Sequence, residues 1–255
     1  MIYLIAGTSD ARELAISVKD ASYEVLASVV TENAAISLRE ANIETIVGRL
    51  TAKEMTVLIQ KRGIKMIVDA SHPFAEEASK NGVEAGQLAQ IPYVRYEREN
   101  YQEEDELITY VSSYEDAAFL AKEQKGVVML TTGSKTLQIF TKHLLNAEGI
   151  RLIARMLPRK DNMEKCEELG VQQKNIVAIQ GPFSKELNIA LFKQFDVTLM
   201  ITKESGKVGS VDEKVEAARE LNIPIIMITR PKIDYGMMCR SFKDVLKTIN
   251  QKLEV

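Results

Sequence analysis

Ile2-Tyr3-Leu4-Ile5-Ala6-Gly7-Thr8-Ser9-Asp10-Ala11-Arg12 carries three signals in succession. The apolar run Ile2–Ala6 is short and unbroken, as in a strand buried on both faces. Gly7 lets the chain turn sharply and lets a ligand approach the backbone. Thr8 or Ser9 then suits the cap of a helix whose apolar residues recur at helical spacing over Asp10–Val18. Strand, glycine turn and helix in that order open a parallel α/β fold.

The same alternation continues outward. Val25–Val30, Ile43–Val47, Met66–Ala70 and Tyr93–Tyr96 read as further strands, with helical spacing over Ala34–Ala41 and Ala75–Ala89. A second series follows at Val127–Leu130, Leu152–Ala154, Ile176–Ile179, Thr198–Ile201 and Ile225–Ile228. Leu4-Ile5-Ala6-Gly7-Thr8-Ser9 parallels Leu130-Thr131-Thr132-Gly133-Ser134, and Ile91-Pro92-Tyr93-Val94 parallels Ile223-Pro224-Ile225-Ile226. Ser113–Asp116 and Ser241–Asp244 each start a closing helix. The repeats lie about 130 residues apart, the size of a domain. This pattern predicts two doubly wound parallel-sheet domains of Rossmann type, 1–125 and 126–255, with the boundary near Lys125-Gly126. The amphipathic segment Phe242–Leu253 is expected to pack on the second half. The acidic stretch Glu97–Glu106 reads as a solvated loop.

Bulk properties narrow the function classes. The 255 residues are 45% hydrophobic and 27% charged, with a net charge of −3. That profile fits a soluble globular protein and gives no global basic field for nucleic acid. No apolar run approaches the roughly 20 residues that span a bilayer, and the opening lacks the pattern of a signal peptide. A cytoplasmic protein is expected, with Cys166 and Cys239 as free thiols and no metal site. No coiled-coil heptads appear, which leaves a monomer or a small homo-oligomer.

Open parallel sheets bind ligands beyond the carboxyl ends of the strands, where the strand order reverses. The unusual residues cluster at those ends. Gly7, Thr8 and Ser9 form a candidate phosphate-binding turn, although the G-x-G-x-x-G fingerprint is absent. After strand two, Glu32 could take a ribose hydroxyl. Arg49, after strand three, could instead meet a ribose phosphate, which leaves NADH and NADPH both open. Ser71 and His72 follow the fourth strand, with Pro73 suited to the first turn of a helix. His72 could bind phosphate, orient a nicotinamide or handle a proton. Lys203 ends the fourth strand of the second series and could meet an anion or deliver a proton. Arg12, Arg95, Arg98, Arg151, Arg155 and Arg159 lie at or near strand ends, and arginine suits bidentate pairing with carboxylates.

These residues, taken together, resemble the precorrin-6A reductase family of corrin biosynthesis, with its cobalt-precorrin-6A branch. The resemblance runs through Gly7–Arg12, Asp69–Ala75, Arg95–Arg98, Thr132–Lys135, Arg155–Pro158, Gln180–Ser184, Lys203–Gly206 and Arg230-Pro231, in order over nearly the whole chain. It implies hydride transfer from NADH or NADPH to one double bond of a carboxylate-rich tetrapyrrole, with a proton added at the adjacent carbon. It implies the ligands in a cleft between two Rossmann-like domains, and it allows a strand exchange between them. The pyrophosphate is then expected near Gly7–Ser9 and the nicotinamide toward Ser71 and His72. Substrate carboxylates are expected at Arg12, Arg95, Arg98 and Arg155, with Gly133, Ser134, Lys203 and Ser205 on the other wall. Lys203 is the first candidate for electrostatic help or proton delivery. Where some relatives carry glutamate in the first motif, this chain has Asp10, which keeps the charge and shortens the reach. The residues alone leave two other readings open. An S-adenosylmethionine-dependent tetrapyrrole methyltransferase would need a clearer glycine-rich loop. A non-catalytic dinucleotide-binding sensor or carrier would bind a reduced cofactor without turnover.

Overall fold

The structure is a computed structural model that describes residues 1–98, 104–204 and 212–253. The chain runs β1 (Ile2–Ile5), α1 (Ser9–Asp20), β2 (Val25–Val29), α2 (Glu32–Glu40), β3 (Glu44–Val47), α3 (Ala52–Arg62), β4 (Met66–Asp69), α4 (Glu76–Ala89) and β5 (Tyr93–Tyr96). It continues with β6 (Ile108–Val111), α5 (Tyr114–Gln124), β7 (Gly126–Leu130), α6 (Leu137–Leu144), β8 (Ile150–Met156), α7 (Lys160–Glu168) and β9 (Ile176–Ala178). The last elements are α8 (Lys185–Gln194), β10 (Leu199–Lys203), α9 (Glu213–Glu220), β11 (Ile225–Ile228), β12 (Met238–Cys239) and α10 (Phe242–Leu253).

Local chemistry sets the element ends. Thr8, Thr31, Ser113 and Ser184 each accept a backbone N–H in the first turn of the helix they precede. Thr51 and Glu54 form a reciprocal capping box at α3, and Gly63 ends that helix in the left-handed conformation. The central strands are buried on both faces, as the unbroken apolar runs require.

Two six-stranded parallel sheets result, ordered β12-β5-β4-β1-β2-β3 and β6-β11-β10-β7-β8-β9. The orders are the same once β7 is matched to β1, which is the duplication seen in the sequence. The two compact units are 1–99 with 231–255, and 100–230. The expected boundary at Lys125-Gly126 therefore falls inside the second unit, between α5 and β7. The reason is a reciprocal exchange. β6 pairs with β11, and β12 pairs with β5, so each sheet takes its sixth strand from the far end of the other half. The closing helices follow their strands. α10 packs on α1, and its Val245 and Ile249 join the core of Leu14 and Val18. That corrects the expectation that this helix covers the second half.

All ten strands expected from the sequence are present, with shifts at their ends. Among the described residues, no helix is long and apolar enough to cross a membrane. Cys166 and Cys239 are buried and free. The acidic stretch 97–106 lies partly outside the described residues. Of those described, Asp105 pairs with Arg219 at 2.6 Å.

Candidate functional site

In the first unit the strand order reverses between β1 and β4, which is where ligands meet open parallel sheets. Gly7 sits there at φ 154°, exposed, with no atom within 4 Å of the place a Cβ would take. The turn therefore offers bare backbone to a ligand, and α1 begins directly behind it. Thr8 Oγ1 accepts the Ala11 N–H at 3.1 Å. Arg98 stands at the same helix start and donates to Asp10 at 2.8 Å. The shortened carboxylate of Asp10 is thus engaged by this chain's own arginine.

Behind the β4 end lies a buried polar layer. Ile5 is in register with Ser28 on one side and Asp69 on the other, and Asp69 with Arg95. Arg95 is 0% exposed. It donates to Asp69 at 2.9 Å and Ser71 at 3.1 Å, and through Nε and Nη2 to Glu97 at 3.0 and 2.9 Å. The Tyr235 ring lies 5.3 Å from its guanidinium. Asp69 also accepts from the Ser71 backbone, Ser79 and Tyr93, at 2.9, 2.6 and 2.7 Å. Burial alone would push the Arg95 pKa down. The charges of Asp69 and Glu97 more than reverse that, so it stands above the ordinary arginine value.

The other expected residues of this unit divide around that layer. Ser71 is buried and tied to Arg95, while His72 is exposed. Nδ1 of His72 accepts the Phe74 N–H at 3.2 Å, which leaves the ring proton on Nε2 in the neutral form. α4 begins only at Glu76, capped by Ala75 without a side-chain bond. His72 and Pro73 therefore lie in a turn ahead of the helix, not at its start. Arg12 donates to the Ser37 carbonyl at 3.0 Å, and Arg49 is exposed just after β3. Glu32 is ion-paired with Arg39 along α2.

In the second unit the reversal lies between β7 and β10. Gly133 turns the chain after β7 at φ 78° with open space around it. Ser134 donates to Asn162 at 2.5 Å. Lys203 ends β10, with its ammonium 5.3 Å from the centre of the Tyr114 ring. Burial, and then the like charge of Lys135, lower its pKa to about 8. Ser205 lies outside the described residues. Beyond the register pair Leu130↔Ala154 comes Arg155, in one row with Thr131, Thr202 and Met227. Lys203 is one residue further along β10, so strand alternation sends it to the opposite face. Arg155 accordingly meets α8, whereas Lys203 meets α5. These two cations do not share a face.

Arg155 is 7% exposed and donates to Asn188 at 2.6 Å, with Phe183 stacked 4.5 Å from its guanidinium. Burial lowers its pKa to about 10, against a smaller opposing pull from Asp212. Asn188 and Tyr235 carried no signal in the sequence, whereas Phe183 and Glu97 stood inside the motifs Gln180–Ser184 and Arg95–Arg98 with no role assigned to either. Asp69 carried a visible signal, a carboxylate closing the apolar run Met66–Val68.

Two doubly wound α/β units, each with an open glycine turn and a buried polar layer at its switch point, define a Rossmann-like α/β protein. Residues 1–250 match the family described as "Precorrin-6x reductase CbiJ/CobK". The chain is 60% identical over 249 residues to the cobalt-precorrin-6A reductase of Priestia megaterium, covering 98% of each chain. It is 33% identical over 232 residues to the Salmonella typhimurium cobalt-precorrin-6A reductase, covering 90% of this chain and 87% of that one. The solved structure of CobK precorrin-6A reductase superposes with a TM-score of 0.79 at 21% identity, over 98% of this chain and 96% of that one. The chain belongs to the precorrin-6x reductase family.

Proposed function

We propose that this protein reduces cobalt-precorrin-6A, or the cobalt-free macrocycle, to the 6B form with NADH or NADPH. The observation that carries the reading is 60% identity over 98% of the chain to a cobalt-precorrin-6A reductase. The open turn at Gly7 supports it, because a Cβ there would enter space with no atom within 4 Å and at a φ that side chains avoid. Gly7, Thr8 and Ser9 would hold the pyrophosphate at the start of α1. Arg49 would meet the ribose end of the dinucleotide. Ser71 and His72 would orient the nicotinamide, with Arg95 as a positioning residue that fixes Ser71 from within the core.

The nicotinamide supplies a hydride to one carbon of the reduced double bond. The protein's own part is to place, to neutralise and to deliver a proton. Arg12, Arg98 and Arg155 would meet substrate carboxylates, with Gly133, Ser134 and Ser205 as further substrate contacts. Lys203, with a pKa of about 8, holds a proton at Nζ that it can give up near neutral pH, which suits delivery to the adjacent carbon. Most of the acceleration would come from placement of the two reacting carbons.

The test is an anaerobic turnover assay with precorrin-6A and cobalt-precorrin-6A, each with NADH and NADPH. Loss of reduced-cofactor absorbance with a matching change in the tetrapyrrole spectrum is expected, and the fastest arm fixes both choices. Silence in all four arms, from folded protein that binds nucleotide, would overturn the reading and favour a carrier.

A further inference from the structure

Tyr235 belongs to the first unit, although it follows β11 of the second. β12 brings it there: the Arg95 N–H donates to the Met237 carbonyl at 2.9 Å, and the Glu97 N–H to the Cys239 carbonyl at 3.0 Å. Ahead of β12 the chain makes a tight turn. The Asp234 carboxylate accepts the Gly236 N–H at 3.0 Å, and the Met237 N–H donates to the Tyr235 carbonyl at 2.8 Å. Gly236 sits at φ 67°, in the left-handed region that favours glycine. The Tyr235 backbone is therefore fixed from both sides. Its side chain is buried between two exposed neighbours in sequence.

There the ring lies over the guanidinium of Arg95, 5.3 Å from its centre, and Ser79 is the hydrogen-bonding neighbour of the hydroxyl. Both contacts lead to Ser71. Arg95 donates to the Ser71 hydroxyl at 3.1 Å, and the Ser79 and Ser71 hydroxyl oxygens lie 3.4 Å apart. The carboxylates of Asp69 and Glu97 hold the edges of the guanidinium. Bonds at the edge of a planar fork resist movement within its plane and do little against tilt, whereas a ring on its face resists tilt. The ion pairs thus hold the layer together, and Tyr235 sets the angle at which Arg95 reaches Ser71. An aliphatic side chain could fill the same space for the fold, but it would supply neither the aromatic face nor the hydroxyl.

We infer that Tyr235 is a positioning residue of the proposed reaction, acting through Arg95 and Ser71 to fix the nicotinamide beside the Ser71–His72 turn. The inference rests on the reading of that turn given above. It adds a residue that the exchanged segment supplies, so the first unit's site is complete only with residues 231–239 in place. Tyr235 has no assigned contact with the reacting atoms. Misplacement of a reacting group by about 1 Å costs on the order of a hundredfold in rate, and loss of one tilt restraint is expected to cost less.

The test compares full-length Tyr235→Leu and Tyr235→Phe with the parent, using NADH or NADPH according to which the parent binds more tightly. One readout is the fluorescence anisotropy of the bound reduced nicotinamide without tetrapyrrole. The other is turnover of precorrin-6A and cobalt-precorrin-6A, with hydrogen or deuterium at the transferring C4 position. Tyr235→Leu is expected to lower kcat about tenfold, with a deuterium isotope effect at least as large as the parent's, and to lower the nicotinamide anisotropy. KM for the dinucleotide should stay within about twofold of the parent, because the pyrophosphate is assigned to Gly7–Ser9. Tyr235→Phe keeps the ring and should recover most of each change. A folded Tyr235→Leu with the parent's kcat and anisotropy would overturn the inference even if it unfolds in less urea, since a purely structural residue moves stability alone. A fall in kcat with a smaller isotope effect, or with unchanged anisotropy, would overturn it as well. If Tyr235→Leu does not fold, Gly236→Ala decides by the same criteria: a Cβ there has no atom within 4 Å, so only the altered φ disturbs the turn. A parent that reduces neither macrocycle, beside a Tyr235→Leu that loosens the bound nicotinamide, keeps the positioning role and loses the reductase reading. A parent that turns over beside an unaffected Tyr235→Leu does the reverse, and a parent that binds no nicotinamide dinucleotide overturns both.

Discussion

The two units place an arginine in the same polar layer, one residue row from the strand ends, and treat it in opposite ways. In the first unit Arg95 is 0% exposed and meets two carboxylates, a serine and an aromatic face. In the second, Arg155 meets one amide and one aromatic face. Charge compensation within the chain makes the first cation part of the fold. The second forms no ion pair among the described residues and has only a smaller pull from Asp212 against its burial. The duplicated scaffold thus holds two buried arginines on different strands of corresponding layers, Arg95 on β5 and Arg155 on β8, and their substitutions should behave differently.

The largest effect is expected at Arg95. Arg95→Met leaves Asp69 buried with its charge partner gone, so urea unfolding should show a loss of about 3–5 kcal/mol. A loss under about 1 kcal/mol would mean the layer is not a structural centre. Lys203→Met should lower turnover by on the order of a hundredfold, the scale of one general acid. It should also remove a descending limb of the pH–rate profile near the lysine pKa of about 8, because the proton is lost above that value. The stability sign runs the other way. Below about pH 8 the folded state carries the full penalty of a buried ammonium, and the penalty is lifted as pH rises toward the unfolded lysine value. Stability should therefore climb over that window in the parent and stay flat in Lys203→Met.

Arg155→Met sharpens the comparison most. Removing a buried cation that forms no ion pair among the described residues should leave stability unchanged or raise it by about 1–4 kcal/mol. A loss like that of Arg95→Met would make the two arginines equivalent and break the contrast. The smallest effect is expected at the capping box of α3, where Thr51→Ala should cost about 1 kcal/mol with activity intact. Differential scanning calorimetry beside the turnover assay checks both statements.

The sequence made most of the fold legible because the buried strands are unbroken apolar runs. Ile2–Ile5 and Ile225–Ile228 are fully buried and could be read without any partner in view. β6 and β12 could not. Ile108–Val111 is half exposed along its length, and Met238–Cys239 is only two residues long. Both form through pairing with a strand remote in sequence, which no local window contains. The misplaced boundary and the misassigned partner of α10 follow from the same cause. Amphipathic spacing over Phe242–Leu253 shows that a helix has a face to bury, not which core receives it.

The site was legible to the same depth. The Gly7–Ser9 turn and the pairing of first and fourth strands could be derived from glycine placement and strand order. The state of each arginine could not, because it depends on groups brought from afar. Arg95 is closed off by Asp69, 26 residues away, and Arg155 is aimed by Asn188, 33 residues away. Residue type shows what a side chain can bind, and only the packed neighbours show whether the chain has already bound it.

The proposed reaction is a direct hydride transfer from the nicotinamide to the macrocycle. The most direct test is one turnover with cofactor deuterated at the transferring position of the nicotinamide C4, followed by mass spectrometry of the reduced tetrapyrrole. The predicted product carries one deuterium at carbon. A product reduced without the label, or cofactor oxidised with the macrocycle unchanged, would rule out direct transfer.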